Sequence, residues 1–285
     1  MWFLAFSIVC SVSVSIMLKL ARRYAIQVSQ AIATNYIMAS LLTVVLLRPR
    51  LDSLWQPDLP IVVLLLLGIL LPSIFIVMAY AVQQAGIVRA DAAQRLSLLV
   101  PLLAAFLIFN EPFDAYKLGG ILCGLLAILF LSLNKRQEAS TTPATGTGKN
   151  AMMLLFGVWA GFGFIDILFK QLAQSGVSFI SSLIITFVLA GILMFGGLFY
   201  RRTTWHRPSL LAGLLLGLLN FGNIYFYIRA HQQFPHNPAL VFASMNIGVI
   251  VLGTLAGVGL FKERATGRIG IGLILALIAI LLLLP

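Results

Sequence analysis

The stretch Asn134-Lys-Arg-Gln-Glu-Ala-Ser-Thr-Thr-Pro-Ala-Thr-Gly-Thr-Gly-Lys-Asn150 is long and polar, and it lies near the middle of the 285 residues. Its Ser, Thr, Gly and Pro residues offer no apolar face to bury, which predicts a solvated, flexible connector. The sequence on either side is almost continuously apolar. The stretch therefore predicts a hinge at residues 134–150 between two halves, residues 1–133 and 151–285.

The composition indicates a membrane protein. Hydrophobic residues make up 61% of the chain and charged residues 9%, and the mean hydropathy is +1.04. A soluble domain of this length needs more charge on its surface. The net charge of +11 comes from Lys and Arg in short loops between apolar runs, where such residues set the orientation of a membrane protein. Nucleic acid is therefore not an expected partner.

The sequence offers no pattern typical of an enzyme or a metal site. Cys10 and Cys123 fall inside apolar segments and have no Cys or His at ligand spacing. The eight acidic residues form no cluster of the kind that membrane hydrolases and transferases need. We therefore expect neither catalysis nor a cofactor.

Apolar runs of about 20 residues, the length that an α-helix needs to cross the hydrocarbon core, recur along the chain. They predict ten spans, five in each half: Trp2–Leu18, Val28–Leu47, Leu59–Val82, Ala90–Phe109, Tyr116–Leu133, Ala151–Ala173, Phe179–Tyr200, Pro208–Arg229, Pro238–Phe261 and Arg268–Leu284.

The two halves resemble each other at landmarks spaced 149 to 152 residues apart. Lys19 and Lys170 end the first and sixth spans, and Glu111 and Glu263 follow the fourth and ninth. Further pairs are Asn35-Tyr36 with Thr186-Phe187, Ala81–Gln84 with Ala230–Gln233, Lys117–Gly119 with Arg268–Gly270, and Gln94 with Asn246. These pairs indicate a duplication. Because each copy has an odd number of spans, the second copy enters the membrane from the opposite face, which predicts inverted repeats.

The basic residues predict the orientation. Twelve Lys and Arg residues fall on the face that carries the hinge and only four, Arg48, Arg50, Lys117 and Arg229, on the other. By the positive-inside rule the hinge is cytoplasmic and both termini face outward.

This pattern resembles the drug/metabolite transporter superfamily, of the EamA type. The resemblance rests on the five-plus-five spans, a Lys closing the first helix of each half, Pro101 in the fourth span, and a Glu before each Gly-rich last helix. It covers the whole chain and implies transport of a small organic metabolite across the bacterial inner membrane. Asp91 and Arg95 stand where members of that family are usually apolar.

Charged residues in or near the spans are the first candidates for a site, because a charge in the bilayer is costly. Asp91 and Arg95, and likewise Asp166 and Lys170, are four residues apart, so each pair shares a helix face. One interpretation is that the members of each pair neutralise each other. The other is that Asp166 exchanges a coupling proton or leaves Lys170 free to meet a substrate anion. Lys19 either extends to the headgroups or contacts substrate.

Uncharged polar residues in the spans form a second candidate set. They bind substrate in a shared cavity, or they only join helices by hydrogen bonds. The set is Asn35, Tyr36, Gln94, Trp159, Asn220, Asn223, Tyr225 and Asn246, with Tyr227 beside them.

Two functions of different classes remain. The first is a carrier that exports an amino acid, an organic anion or an amphiphilic compound by alternating access, as a monomer or homodimer, with proton coupling an open question. The second is a non-transporting membrane partner or a subunit of a lipid-carrier flippase. The carrier predicts a solvent-filled central cavity, and the second function predicts a packed, dry midplane.

Overall fold

The structure, a computed structural model, describes residues 2–49, 60–100, 115–132, 148–174, 178–234, 238–263 and 266–282. Within these ranges the regular structure is entirely helical, as the sequence predicts. The α-helices are α1 Trp2–Arg23, α2 Val28–Leu42, α3 Ile61–Ala85, α4 Ile87–Arg95, α5 Ala115–Ser132, α6 Gly148–Gln174, α7 Phe179–Tyr200, α8 Arg207–Gln233, α9 Pro238–Phe261 and α10 Gly267–Leu282.

Seven helices of the described ranges are long and apolar enough to cross a membrane. They are α1, α2 with its π-helical extension Thr43–Leu47, α3, α6, α7, α8 and α9. A helix satisfies its own backbone hydrogen bonds, which a spanning segment must do in hydrocarbon. The chain is therefore a multi-pass helical membrane protein.

The outer surface of the bundle carries large apolar side chains. Val62, Ile192, Leu211 and Leu255 are each more than 60% exposed, at 69%, 63%, 67% and 63%. A water-soluble monomer rarely exposes such residues in continuous patches. These side chains form the surface that faces lipid.

Several helix boundaries differ from the sequence prediction. α1 and α8 extend to Arg23 and Gln233, five and four residues beyond the predicted ends. α6 begins at Gly148, so the last three residues assigned to the hinge are helical. α4 ends at Arg95 and continues as a 3-10 turn, Leu96–Leu98, inside the predicted fourth span. Hydropathy marks where the chain is apolar, but a helix extends as far as its backbone hydrogen bonds do. Residues 134–147 of the hinge and 101–114, with Pro101 and Glu111, lie outside the described ranges.

The helices pack mainly against helices of the other half of the chain. α2 packs on α8 and on α7, and α3 also packs on α7. α1 packs on α8 and α9, while α3 and α4 pack on α6. α4 also meets α9, and α5 meets α10.

The contact between α2 and α8 depends on a glycine. Gly213 lies so close to α2 that a Cβ there would overlap Thr34 Oγ1 and the carbonyl oxygen of Ala31. Both Gly213 and Thr34 lie in buried positions. Small residues at such contacts let two membrane helices approach closely and gain van der Waals contacts.

Candidate functional site

A cavity of about 820 Å³ lies between α4, α6, α7, α8 and α9. Its size is within the range of small-molecule sites. The polar side chains in its wall are Gln94, Arg95, Ser97, Asp166, Asn223, Tyr227, His231, Gln232 and Asn246. Its apolar side chains are Phe162, Phe169, Phe179, Leu183, Ile224, Ile228 and Met245.

The cavity lies toward one end of the bundle. It reaches His231 and the exposed Gln232 at the end of α8, immediately before α9 begins. Asn246, in the first half of α9, also lines it. Phe261 ends α9 fifteen residues farther on, which at 1.5 Å per residue is about 22 Å along the helix.

The far end of α9 is closed by polar contacts that join several helix ends. Lys19 Nζ at the end of α1 lies 3.5 Å from Glu263 Oε1, just after α9. The same ammonium donates to the carbonyl of Val82 in α3, at 3.2 Å. Glu263 Oε1 also accepts from the backbone N–H of Ile87, the first residue of α4, at 3.0 Å. We call these four residues the Lys19–Glu263 contact.

Asp166 is the acidic residue of the cavity wall. It is exposed to the cavity, and Ser97 Oγ donates to its Oδ2 at 3.4 Å. The side chain of Lys170, its predicted partner one turn along, lies outside what the structure describes. The sequence predicts Asp166 as a candidate proton carrier, and the structure places it in the cavity wall.

Arg95 is the basic residue of the wall. Its Nη2 donates to Ser11 Oγ of α1 at 2.9 Å. Asp91, Asp166 and Tyr227 are close enough to interact with it electrostatically. Among the described residues Arg95 forms no direct ion pair with Asp91, although the two charges attract each other. Mutual neutralisation of the two residues on α4 stays a prediction.

Of the predicted uncharged residues, Gln94, Asn223 and Asn246 meet in the cavity. Ser7 of α1 holds Asn223 in place, since Ser7 Oγ donates to Asn223 Oδ1 at 2.8 Å and to the Asn223 backbone carbonyl at 3.0 Å. Gln94 and Asn246 are 152 residues apart and are the two residues that the predicted duplication pairs. Both line the cavity.

Other predicted residues lie elsewhere. Asn35 is buried and accepts a hydrogen bond from Asn220 Nδ2 at 3.3 Å, across the α2–α8 contact. Tyr36 is buried, and its ring lies 6.1 Å from that of Phe187 in α7. These side chains do not line the cavity, and their contacts are those of residues that join helices.

Trp159, Tyr225 and Lys19 are also away from the cavity wall. Trp159 Nε1 donates to the carbonyl of Leu96 at 2.9 Å, where α4 changes to its 3-10 turn. Tyr225 accepts from Arg229 Nε at 3.2 Å on an exposed surface. Lys19 is held in the Lys19–Glu263 contact, at the end of the bundle opposite the cavity.

His231 is not named as a site residue in the sequence prediction, although the helix period relates it to two residues that are named there. Asn223, Tyr227 and His231 in α8 are four residues apart and all line the cavity. Positions four apart share one helix face, whereas Tyr225 points away from it. This spacing is a signal in the sequence that identifies Tyr227 and His231 once Asn223 is chosen.

Comparisons with known proteins place the chain in a family. No family model matches it. A protein of Haemophilus influenzae, described as an uncharacterized protein, is 48% identical over 284 residues, which cover 97% of this chain and 95% of that one. The two chains belong to one family. A solved crystal structure, described only as that of a protein, covers 99% of this chain and 94% of its own at 16% identity, with a TM-score of 0.63. That structure shares the fold.

Proposed function

We propose that this protein is a secondary transporter that moves a small organic metabolite across the membrane by alternating access. The observation that carries the proposal is the cavity. It is lined by polar groups from both halves of the chain and reaches one end of the bundle. At the opposite end, the Lys19–Glu263 contact joins several helix ends. A non-transporting partner or flippase subunit with a packed, dry midplane is less well supported by a cavity of about 820 Å³.

Inverted repeats are part of the proposal, and helix contacts support them. If α1–α5 correspond to α6–α10, the contact of α1 with α8 has its counterpart in that of α6 with α3. The contacts of α2 with α8 and α1 with α9 likewise correspond to those of α7 with α3 and α6 with α4. The pairs α2–α7, α4–α9 and α5–α10 each join a helix to its own counterpart.

Individual contacts repeat the same relation. Leu189 packs on Gly68, and Met38 packs on Gly217. Leu189 follows Met38 by 151 residues, and Gly217 follows Gly68 by 149. Tyr36 meets its own counterpart, Phe187.

A second set of contacts gives the same correspondence. Trp159 contacts Leu96, and Ile8 contacts Gly248. Trp159 follows Ile8 by 151 residues, and Gly248 follows Leu96 by 152. Two copies related by a two-fold axis would produce paired contacts of this kind.

The resemblance to EamA-type transporters supports the same function. In the proposed orientation the hinge is cytoplasmic, so the cavity of this structure faces outward and the Lys19–Glu263 contact lies on the cytoplasmic side. Export from the bacterial inner membrane, as a monomer or homodimer, is the direction and setting that we propose.

A ligand screen followed by transport tests the proposal. The purified protein is heated with members of a metabolite library, since a ligand of the native state raises the melting temperature. Hits are then measured for counterflow in proteoliposomes. We expect Asn223→Ala to reduce both signals, while Tyr225→Ala, outside the cavity, leaves them intact. A ligand that stabilises the protein but shows no counterflow would contradict the carrier.

A further inference from the structure

Asp91 is a buried acid that the cavity does not use. It lies in α4, is 2% exposed, and faces α1 and α9. Ser15 Oγ of α1 donates to its Oδ1 at 2.6 Å. Its other oxygen, Oδ2, has no hydrogen-bond partner among the described residues. It lies against Gly253 of α9, where a Cβ would come within 2.8 Å of it.

Asp91 lies between the cavity and the closed end of the bundle. Along α9, Asn246 lines the cavity, Gly253 contacts Asp91, and Gly257 contacts Glu263. These three α9 positions follow one another along the helix. The carboxyl group of Asp91 therefore lies between the cavity and the Lys19–Glu263 contact, which differ in their access to water.

Among the described residues, the charged groups around Asp91 do not form a direct ion pair with it. Arg95, one turn along α4, is near enough to attract a negative charge at Asp91, but its Nη2 donates to Ser11. Glu263 is near enough to repel a negative charge at Asp91, and Lys19 is engaged with Glu263. Arg89 on the same helix interacts with Glu263, and Asp166 on α6 lies beyond Arg95.

An ionised carboxylate in this position leaves an unpaired, charged oxygen in the membrane interior. A buried charge is far more costly to leave unpaired than a buried neutral hydroxyl. The neutral acid retains the hydrogen bond from Ser15, because its Oδ1 is still an acceptor. The surroundings of Asp91 therefore fit a carboxylic acid better than a carboxylate.

We propose that Asp91 is a proton-binding site, separate from Asp166 and enclosed between the cavity and the Lys19–Glu263 contact. Hydronium gives the proton, which forms the O–H bond at Oδ2 and leaves a water molecule; release of the proton to water regenerates the carboxylate and hydronium. This inference deepens the proposed function and rests on it for its purpose. Arg95 lies between Asp91 and Asp166. When Asp91 loses its proton, its negative charge attracts Arg95 away from the cavity. Proton binding at Asp91 is thereby linked to ligand binding in the cavity.

Infrared difference spectroscopy on the full-length protein in lipid tests the site without a substrate. Protonated carboxyl groups absorb at a C=O stretching frequency that carboxylates lack. We expect the difference spectrum of the wild type minus Asp91→Asn near neutral pH to contain one such band. Asp166→Asn is the matched control, and its spectrum should retain the Asp91 band. A spectrum of Asp91→Asn that loses no protonated-carboxyl band would overturn the proposal.

Ser15→Ala provides a second test, the frequency of the Asp91 carboxyl band. This frequency would not change if Asp91 had only a structural role as a carboxylate. Removing the hydroxyl leaves the acid in place but takes the hydrogen bond from its carbonyl, which should shift the band to higher frequency. If Asp91→Asn does not fold, this shift decides the question, and an unshifted spectrum overturns the proposal. Because no transport is measured, a failed ligand screen would count against the proposed function and leave this result standing.

Discussion

Glu263→Gln removes the charge of the Lys19–Glu263 contact while keeping its shape. A glutamine side chain retains an Oε1 acceptor for the N–H of Ile87, so the start of α4 remains capped. What is lost is the attraction between Glu263 and Lys19, whose side chains are 9% and 22% exposed. If the contact holds one end of a carrier closed, the variant opens that end more often.

The size of the effect follows from the contact. Hydrogen bonds and close contacts to charged groups contribute about 1.5–3 kcal/mol, and exposed pairs less than about 1 kcal/mol. The partly buried Lys19–Glu263 pair belongs between these ranges, at roughly 1–2 kcal/mol, which corresponds to a factor of about 5–30 in the ratio of two states.

Cysteine accessibility measures the two states from both sides of the membrane. Asn246→Cys places a thiol in the cavity wall, in a protein whose own Cys10 and Cys123 are replaced by alanine. In the otherwise unaltered protein, a membrane-impermeant maleimide should react from the cavity side much faster than from the side of the Lys19–Glu263 contact. Glu263→Gln should raise the slower rate by about 5–30-fold.

Two further variants separate the contact from a general effect of charge. Lys19→Gln should raise the slower labelling rate as Glu263→Gln does. The double variant should react no faster than either single variant, because both substitutions remove the same interaction. Arg23→Gln, one turn away on the exposed end of α1, is the matched control and should change nothing. Equal rates in wild type, Lys19→Gln and Glu263→Gln would refute the reasoning.

Three other predictions concern orientation, the cavity and packing. Ser140→Cys in the hinge should resist an impermeant reagent in intact cells and react after permeabilisation; reaction in intact cells would reverse the orientation and leave the fold unaffected. Asn223→Ala should weaken ligand-induced stabilisation more than it lowers the melting temperature of the free protein, whereas Asn220→Ala, in the α2–α8 contact, should do the opposite. Gly213→Ala should destabilise the protein by about 1–3 kcal/mol, because its Cβ would meet α2, while Gly196→Ala, with open space around it, should have little effect on thermal unfolding.

Much of the architecture is predictable from local sequence. Helices in a membrane need long apolar runs, and hydropathy located α1, α3, α7 and α9 to within a few residues. The cavity was partly predictable for a different reason. The predicted duplication pairs Gln94 with Asn246, and both residues line the cavity. In the proposed inverted repeats, corresponding positions near the two-fold axis would lie close together.

The remaining site residues depend on tertiary packing. Lys19 has no acidic residue within its helix, and its partner, Glu263, lies 244 residues away in sequence. Asn220 and Asn223 are three residues apart, yet one joins α2 and the other lines the cavity. The sequence indicates that a polar residue in a span does not face lipid. Whether the residue contacts a neighbouring helix or a cavity depends on the packing of the whole bundle.

α9 connects the elements of the proposed mechanism. Its glycine face lies against Asp91 at Gly253 and against Val88 and Glu263 at Gly257. Because a glycine has no side chain to interlock with its neighbour, a small movement of α9 along α4 changes the contacts with Asp91 and Val88 together. Glu263 moves with α9, since it follows the helix end and its N–H donates to the carbonyl of Gly257. In the proposed carrier, opening of the Lys19–Glu263 end therefore alters the surroundings of Asp91 in the same step, and a proton bound there favours one position of α9 over the other.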